Sequence, residues 1–154
     1  MRNQRFVLGL ILGLVTSLWS SPESLANESS QTLIRKGADE LASNRVSQAS
    51  ARFQEAVKAD AKDADAHFLA GLALNRLGRS QQALENLKEA KKLKTAYRDL
   101  YFELGWAYLF MRQYEAAIEA LGYYETIKPG RGLAHELLGR SRLALGQYDE
   151  AKIA

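Results

Sequence analysis

The chain contains two histidines, His67 and His135, and no cysteine among its 154 residues. These are the side chains that most readily act as general bases, thiolate nucleophiles or soft metal ligands. Without cysteine there is no disulfide framework, no thiolate metal site and no thiol behind a leader to carry a lipid. The carboxylates occur as "DADA", "RDLYFE" and "YDEA". None follows the spacing of a metal-binding loop. "KPGRG", from Lys128, lacks the strand before it and the Lys-Ser/Thr after it that a phosphate loop needs, so it reads as a turn. Asn27-Glu28-Ser29 fits a glycosylation acceptor, a short pattern that recurs by chance. No serine or tyrosine has a base beside it in a recognisable arrangement. The sequence predicts no catalytic, metal or cofactor-binding residues, and a protein that is not an enzyme.

What remains is recognition by apolar and aromatic surface. "ELGWAYLFM", residues 103–111, holds Trp106, Tyr108 and Phe110, which cannot all face one way on a helix. Tyr101, Leu104, Tyr108 and Met111 form one stripe at helical spacing. Phe102, Trp106, Leu109 and Phe110 form a second. A helix that is apolar on two faces must bury both or display one.

The elements that position these side chains follow from composition and repetition. Apolar content of 47% and charged content of 25% are ordinary, and prolines number two, which suits helices joined by short loops. Residues 1–26 read as a signal peptide. Arg2 and Arg5 form a basic start, Phe6–Leu18 an apolar run, and "SLA" ends at Ala26, the expected cleavage point. The alternative is an uncleaved anchor over residues 6–22. Either way the remainder is exported, to the periplasm or beyond, with membrane contact only if the segment is retained. Losing Arg2, Arg5 and Glu23 leaves 19 Lys+Arg against 17 Asp+Glu. Nucleic-acid binding would need a clustered basic face. The best cluster, Lys88, Lys91, Lys92 and Lys94, is interleaved with leucines and reads as a solvated helix face.

Gly37, Gly71, Gly105 and Gly139 lie 34 residues apart, and Ala49, Ala83, Ala117 and Ala151 repeat that spacing. Three further glycine matches at one period have a chance of about 10⁻⁴ to 10⁻³. Each unit reads as two helices. In the third these are Arg98–Met111 and Glu115–Lys128, with a turn at Arg112–Tyr114. Gly78 and Gly146 mark the same turn in the second and fourth units, and the small-residue columns let paired helices approach closely. His67 and His135 occupy one column two units apart. Four helix steps of about 8–10 Å keep them roughly 30–40 Å apart, too far to share a metal.

A 34-residue helix–turn–helix period with these columns resembles the tetratricopeptide repeat. "LGWAYLFMRQYEAAIEAL…P" (Leu104–Pro129) and "AGLALNRLGRSQQALENLKEA" (Ala70–Ala90) carry the resemblance. It implies an all-α, right-handed superhelical solenoid of about 3.7 repeats. The units would be residues 30–63, 64–97, 98–131 and a partial 132–154. Lys36 and Glu40 replace apolar residues in the first unit, as suits a cap, and Arg142 replaces an aromatic in the fourth. The capping helix usual in the family does not follow. The chain is therefore expected to be the front part of a longer protein, or to form a homo-oligomer through a bare C-terminal end.

By resemblance the second stripe of residues 98–111 looks onto the concave groove, where such repeats hold peptides. The expected partner-binding residues are Phe68, Leu72, Asn75, Arg76, Phe102, Trp106, Leu109, Phe110, Leu137 and Arg140. Members that clamp a terminal carboxylate do so with Lys, Asn and Arg. Here those places hold Ile34, Ala38, Leu69, Asp99 and Glu103, an apolar and partly acidic wall. The expected function is an exported adaptor binding a protein or peptide through this groove. The alternatives are an accessory region of a longer enzyme or envelope-assembly protein, and a membrane-tethered, self-associating structural protein.

Overall fold

Apolar residues at helical spacing, broken by short polar turns, fold into seven helices and nothing else among the described residues. The computed structural model describes residues 22–146. They are α1 (Pro22–Ala42), α2 (Val46–Ala59), α3 (Ala64–Arg76), α4 (Ser80–Lys92), α5 (Leu100–Phe110), α6 (Tyr114–Ile127) and α7 (Gly132–Ala144). The leader up to residue 21 and the second helix expected in the fourth unit lie outside the described residues. The described part of α1 already runs from Pro22, ahead of residue 30, the expected start of the first unit.

The three described hairpins close through a left-handed residue, Asn44, Gly78 and Arg112 at φ 58, 71 and 57°, and Gly146 after α7 has φ 77°. That conformation suits glycine, and asparagine tolerates it. The glycine column inside the helices does a different job. A Cβ on Gly37 would lie 2.6 Å from the Phe53 ring. On Gly71 or Gly105 it would lie 2.5 Å from Cγ of Leu87 or Leu121. Ala49, Ala83 and Ala117 are fully buried beside them. The small columns therefore set the distance between paired helices.

α1–α2, α3–α4 and α5–α6 are the hairpins, and each pair contacts only its neighbours. First helices also touch one another across units: α1 with α3, α3 with α5, and α5 with α7. No such contact joins α2 to α4, or α4 to α6. With one side closed and the other splayed, the stack curves toward the first helices. Their face is concave and the α2–α4–α6 face convex. This is an all-α solenoid of about three and a half repeats.

The starts of α3 and α7 keep the period, and that of α5 departs from it. Asp63 caps α3, its Oδ1 accepting from the backbone N–H of Asp65 and Ala66 at 3.0 and 3.1 Å. Its Oδ2 accepts from Ser30 Oγ at 2.8 Å, which ties α1 to α3. The same column holds Tyr97 in the third unit, which cannot cap. Its ring stacks on Phe68 instead, with centroids 4.4 Å apart. α5 consequently begins at Leu100 rather than the expected Arg98. Asp99, at its N-cap, makes no side-chain cap either. Its carboxylate accepts from Lys128 Nζ at 2.7 Å and Tyr124 Oη at 2.9 Å.

Candidate functional site

α5 packs both of its stripes against neighbouring helices, most of their side chains half-buried and Phe110 left exposed. Tyr101 and Tyr108 pack on the side of α4 and α6, against a core that includes Leu84, Leu87 and Leu104. Phe102, Trp106 and Leu109 pack against Leu121 of α6 and Leu137 and Leu138 of α7. A helix held between preceding and following units needs apolar residues all round. The aromatics of the second stripe form a ladder. Phe102 lies 5.4 Å from Tyr124 and 6.2 Å from Trp106, and Trp106 lies 5.3 Å from Phe110.

The concave face holds a cleft of about 590 Å³ between α3, α5 and the start of α7. Phe68, Leu69, Leu72, Phe102, Leu133 and Ala134 supply its apolar lining, and Arg76, Tyr97, Asp99, Glu103, Tyr124 and Arg131 its polar lining. Leu133 is 48% exposed. The two acids already have partners within the chain. Burial pushes the Asp99 carboxyl up, but the hydrogen bonds from Lys128 and Tyr124 together outweigh it and hold the group below the usual carboxylate range. At Glu103 burial dominates and lifts the carboxyl above its ordinary value. The hydrogen bond from Asn75 Nδ2 to its Oε2, at 2.8 Å, and the charge of Arg76 only partly offset that. Arg76 and Arg131 make no ion pair among the described residues. An apolar trough whose acids are hydrogen-bonded within the chain, with two available guanidinium groups beside them, can hold a protein segment. It has no arrangement for bond-making.

Of the residues predicted for this site, Phe68, Leu72, Arg76 and Phe102 line the cleft. Three of the ten are nonetheless buried rather than displayed. Phe68 is only 2% exposed, because Tyr97 covers it. Asn75 donates to both the backbone oxygen and the carboxylate of Glu103. Leu137 sits at the α6–α7 contact. Trp106 and Leu109 pack on that same core. Phe110 is exposed but lies with Met111 beside the Gly78–Gln82 turn, away from the cleft. Arg140 is exposed and pairs with Glu136 at 3.9 Å. Tyr97, Tyr124, Arg131 and Leu133 join the cleft without a sequence expectation. The 34-residue period offers a signal for Leu133, which shares the column of Asp65 and Asp99. Tyr97 and Arg131 share the column of Asp63, so their role is hidden by a cap that only one unit uses.

The histidines are structural. His67 Nδ1 lies 3.2 Å from Asn86 Oδ1 and its Nε2 3.1 Å from the Ala61 carbonyl oxygen. His135 Nε2 lies 3.0 Å from Glu125 Oε2. No group of three or more His, Asp or Glu that could hold a metal occurs among the described residues. No helix among them is long and apolar enough to cross a membrane.

The sequence profile of the tetratricopeptide repeat matches residues 34–97 and 102–152. The chain belongs to the tetratricopeptide repeat family. Two crystal structures of MamA resemble it at 30% identity, covering 80% of this chain, with TM-scores of 0.72 and 0.70. The chain spans 67% and 72% of those two proteins. The first repeat domain of Spaghetti (RPAP3), bound to the HSP90 peptide SRMEEVD, superposes with a TM-score of 0.70 at 19% identity, covering 78% of this chain and 95% of that one. At that identity the likeness is one of fold. No curated protein matches the chain. Tetratricopeptide repeats are a non-catalytic scaffold fold whose helical groove receives proteins or peptides, and this chain is of that kind.

Proposed function

We propose that the chain is an accessory repeat region working within a larger protein or assembly, and that its concave cleft holds an apolar-anchored segment of a partner. The observation that carries this is the cleft itself. Its apolar trough crosses three first helices, and its acids are already engaged by Lys128, Tyr124 and Asn75. The MamA structures, which are longer than this chain, support the larger setting. RPAP3 is bound to an HSP90 peptide, which supports a peptide as occupant. Here Asp99 and Glu103 stand at the centre, so an internal segment suits the cleft better than a terminal carboxylate. Leu72, Phe102 and Leu133 would seat the anchors, and Arg76 and Arg131 would engage the segment's acidic or carbonyl groups.

The test is photo-crosslinking with a benzophenone side chain at position 133, with position 58, exposed on α2, as the control. A partner should couple at 133, and Leu72→Glu should abolish the product while circular dichroism stays unchanged. Equal coupling at both positions would remove the cleft from consideration. Leu143 is itself 50% exposed on α7, which favours self-association as the second reading. A sedimentation mass that rises with concentration, and is reset by Leu143→Glu, would support it. Export is part of the proposal, resting on Arg2, Arg5 and the apolar run to Leu18. N-terminal sequencing of the processed chain should find Asn27 first.

A further inference from the structure

The convex face carries a second groove, of about 550 Å³, between α4 and α6, the two helices that do not touch. Tyr101, Tyr108 and Tyr123 line it with Ala116 and Ala120, and Lys88 and Lys91 stand along one wall. The lysines are placed by the rings. Lys91 Nζ lies 5.4 Å from the Tyr101 centroid, and Lys88 Nζ lies 5.6 Å from that of Tyr108. A cation over a ring face is attracted by the ring's quadrupole, which holds it without neutralising it. Neither ammonium forms an ion pair among the described residues, although Glu119 lines the same groove.

The repeat supplies an internal control. One unit earlier, the columns of Ala116 and Ala120 hold Gln82 and Asn86, and that of Tyr101 holds His67. There Asn86 reaches the His67 ring at 3.2 Å, a contact within the α3–α4 hairpin that fills the floor of the corresponding groove. The columns of Lys88 and Lys91 hold Gln54 and Val57. At the next joint, Glu125 and His135 replace Lys91 and Tyr101 and pair with each other at 3.0 Å. The column of Tyr101 thus carries a polar side-chain contact in the flanking units, within a hairpin at His67 and between units at His135. At Tyr101 the ring meets Tyr123 at 4.3 Å and Lys91 instead, the alanines leave space, and Lys88 and Lys91 stand beside it without an ion pair among the described residues.

We infer that this convex groove docks an acidic amphipathic helix of a partner protein. Its apolar stripe would lie on Ala116, Ala120 and Tyr123, and its carboxylates would reach Lys88 and Lys91. Charge complementarity selects the acidic partner. The two lysines are three residues apart on α4, about 5–6 Å between Cβ atoms, which matches carboxylates at i and i+3 or i+4 on a facing helix. This site is independent of the concave cleft.

The test uses the full chain and a fluorescein-labelled helical peptide of Glu, Ala and Leu, with leucine on one stripe and glutamate along its edges. Fluorescence anisotropy should show binding that weakens with added salt, and no binding of the counterpart with lysine for glutamate. Lys88→Glu combined with Lys91→Glu should weaken it at least about tenfold. Ala116→Gln, which restores the residue found one unit earlier at a half-exposed position, should weaken it similarly while helicity is retained. Leu133→Glu, in the concave cleft, should bind as the wild type does. Failure of the wild type to bind the glutamate peptide would overturn the inference, as would equal binding by Ala116→Gln. Lysine-dependent co-sedimentation with phosphatidylserine vesicles, without peptide binding, would also overturn it, in favour of a lipid surface.

Discussion

α3 and α5 occupy the same place in successive units, yet the two helices differ in almost everything but backbone. α3 is capped by Asp63 and buries Phe68 almost completely. α5 starts later, has no side-chain cap, and leaves Phe102, in the column of Phe68, half-exposed in the cleft. Asn75 and Arg76 of α3 give way to Leu109 and Phe110 in α5. The period fixes where a side chain stands. What arrives from the neighbouring loop fixes whether it is covered.

The sharpest way to press this comparison is to truncate both phenylalanines. Phe68→Ala should cost about 3–5 kcal/mol and Phe102→Ala about 1–2 kcal/mol, measured by urea denaturation. Equal losses would mean that the column, not the Tyr97 lid, decides burial. Asp63→Ala should cost about 1–2 kcal/mol, since it removes an N-cap and the tie to Ser30 together. The matching place before α5 holds Tyr97, which has no cap to lose, so Tyr97→Ala tests the lid instead. It should expose Phe68, read as added binding of an apolar dye.

The acids of α5 give a finer contrast through pH. The carboxyl of Asp99 is depressed, so its contribution is present above the unfolded value near 4 and lost as pH falls below it. Asp99→Asn should cost below about 1 kcal/mol at neutral pH, since the pair is partly solvated, and the cost should vanish in acid. The carboxyl of Glu103 is raised, so its contribution is present at low pH and lost as pH rises through its folded value. Glu103→Gln should gain stability relative to wild type as pH rises above the unfolded carboxyl value of about 4. Parallel pH profiles for the two variants would break the assignment. The smallest effect belongs to the hairpin turns. Arg112→Gly should stabilise by about 0.5 kcal/mol, because arginine holds φ 57° there while Gly78 already occupies the matching place.

The fold is legible in the sequence because the columns that matter are small residues. Glycine at 37, 71 and 105 is required by contact with a residue sixteen positions later in each hairpin, a local relation that repeats. The cleft is only half legible. Leu72, Arg76 and Phe102 stand where periodicity puts them. Phe68 departs from expectation because Tyr97, which covers it, comes from the one inter-unit connection that breaks the period. Asn75 departs from it because its partner, Glu103, lies a unit away. Lys88 and Lys91 belong to a solvated face by spacing, and they are exposed. Their alignment over Tyr101 and Tyr108 is a contact between units, and helical spacing within α4 carries no sign of it.

The contact pattern has a mechanical consequence. Each hairpin touches only the next, so the stack is a row of hinges rather than a block. The α4–α5–α6 region is flanked by troughs on opposite sides, one inward and one outward. Greater curvature would pinch the inner trough and spread the outer one, and straightening would do the reverse. An occupant of either trough acts as a splint, setting the arc of the whole array and with it the room left for a visitor on the other side.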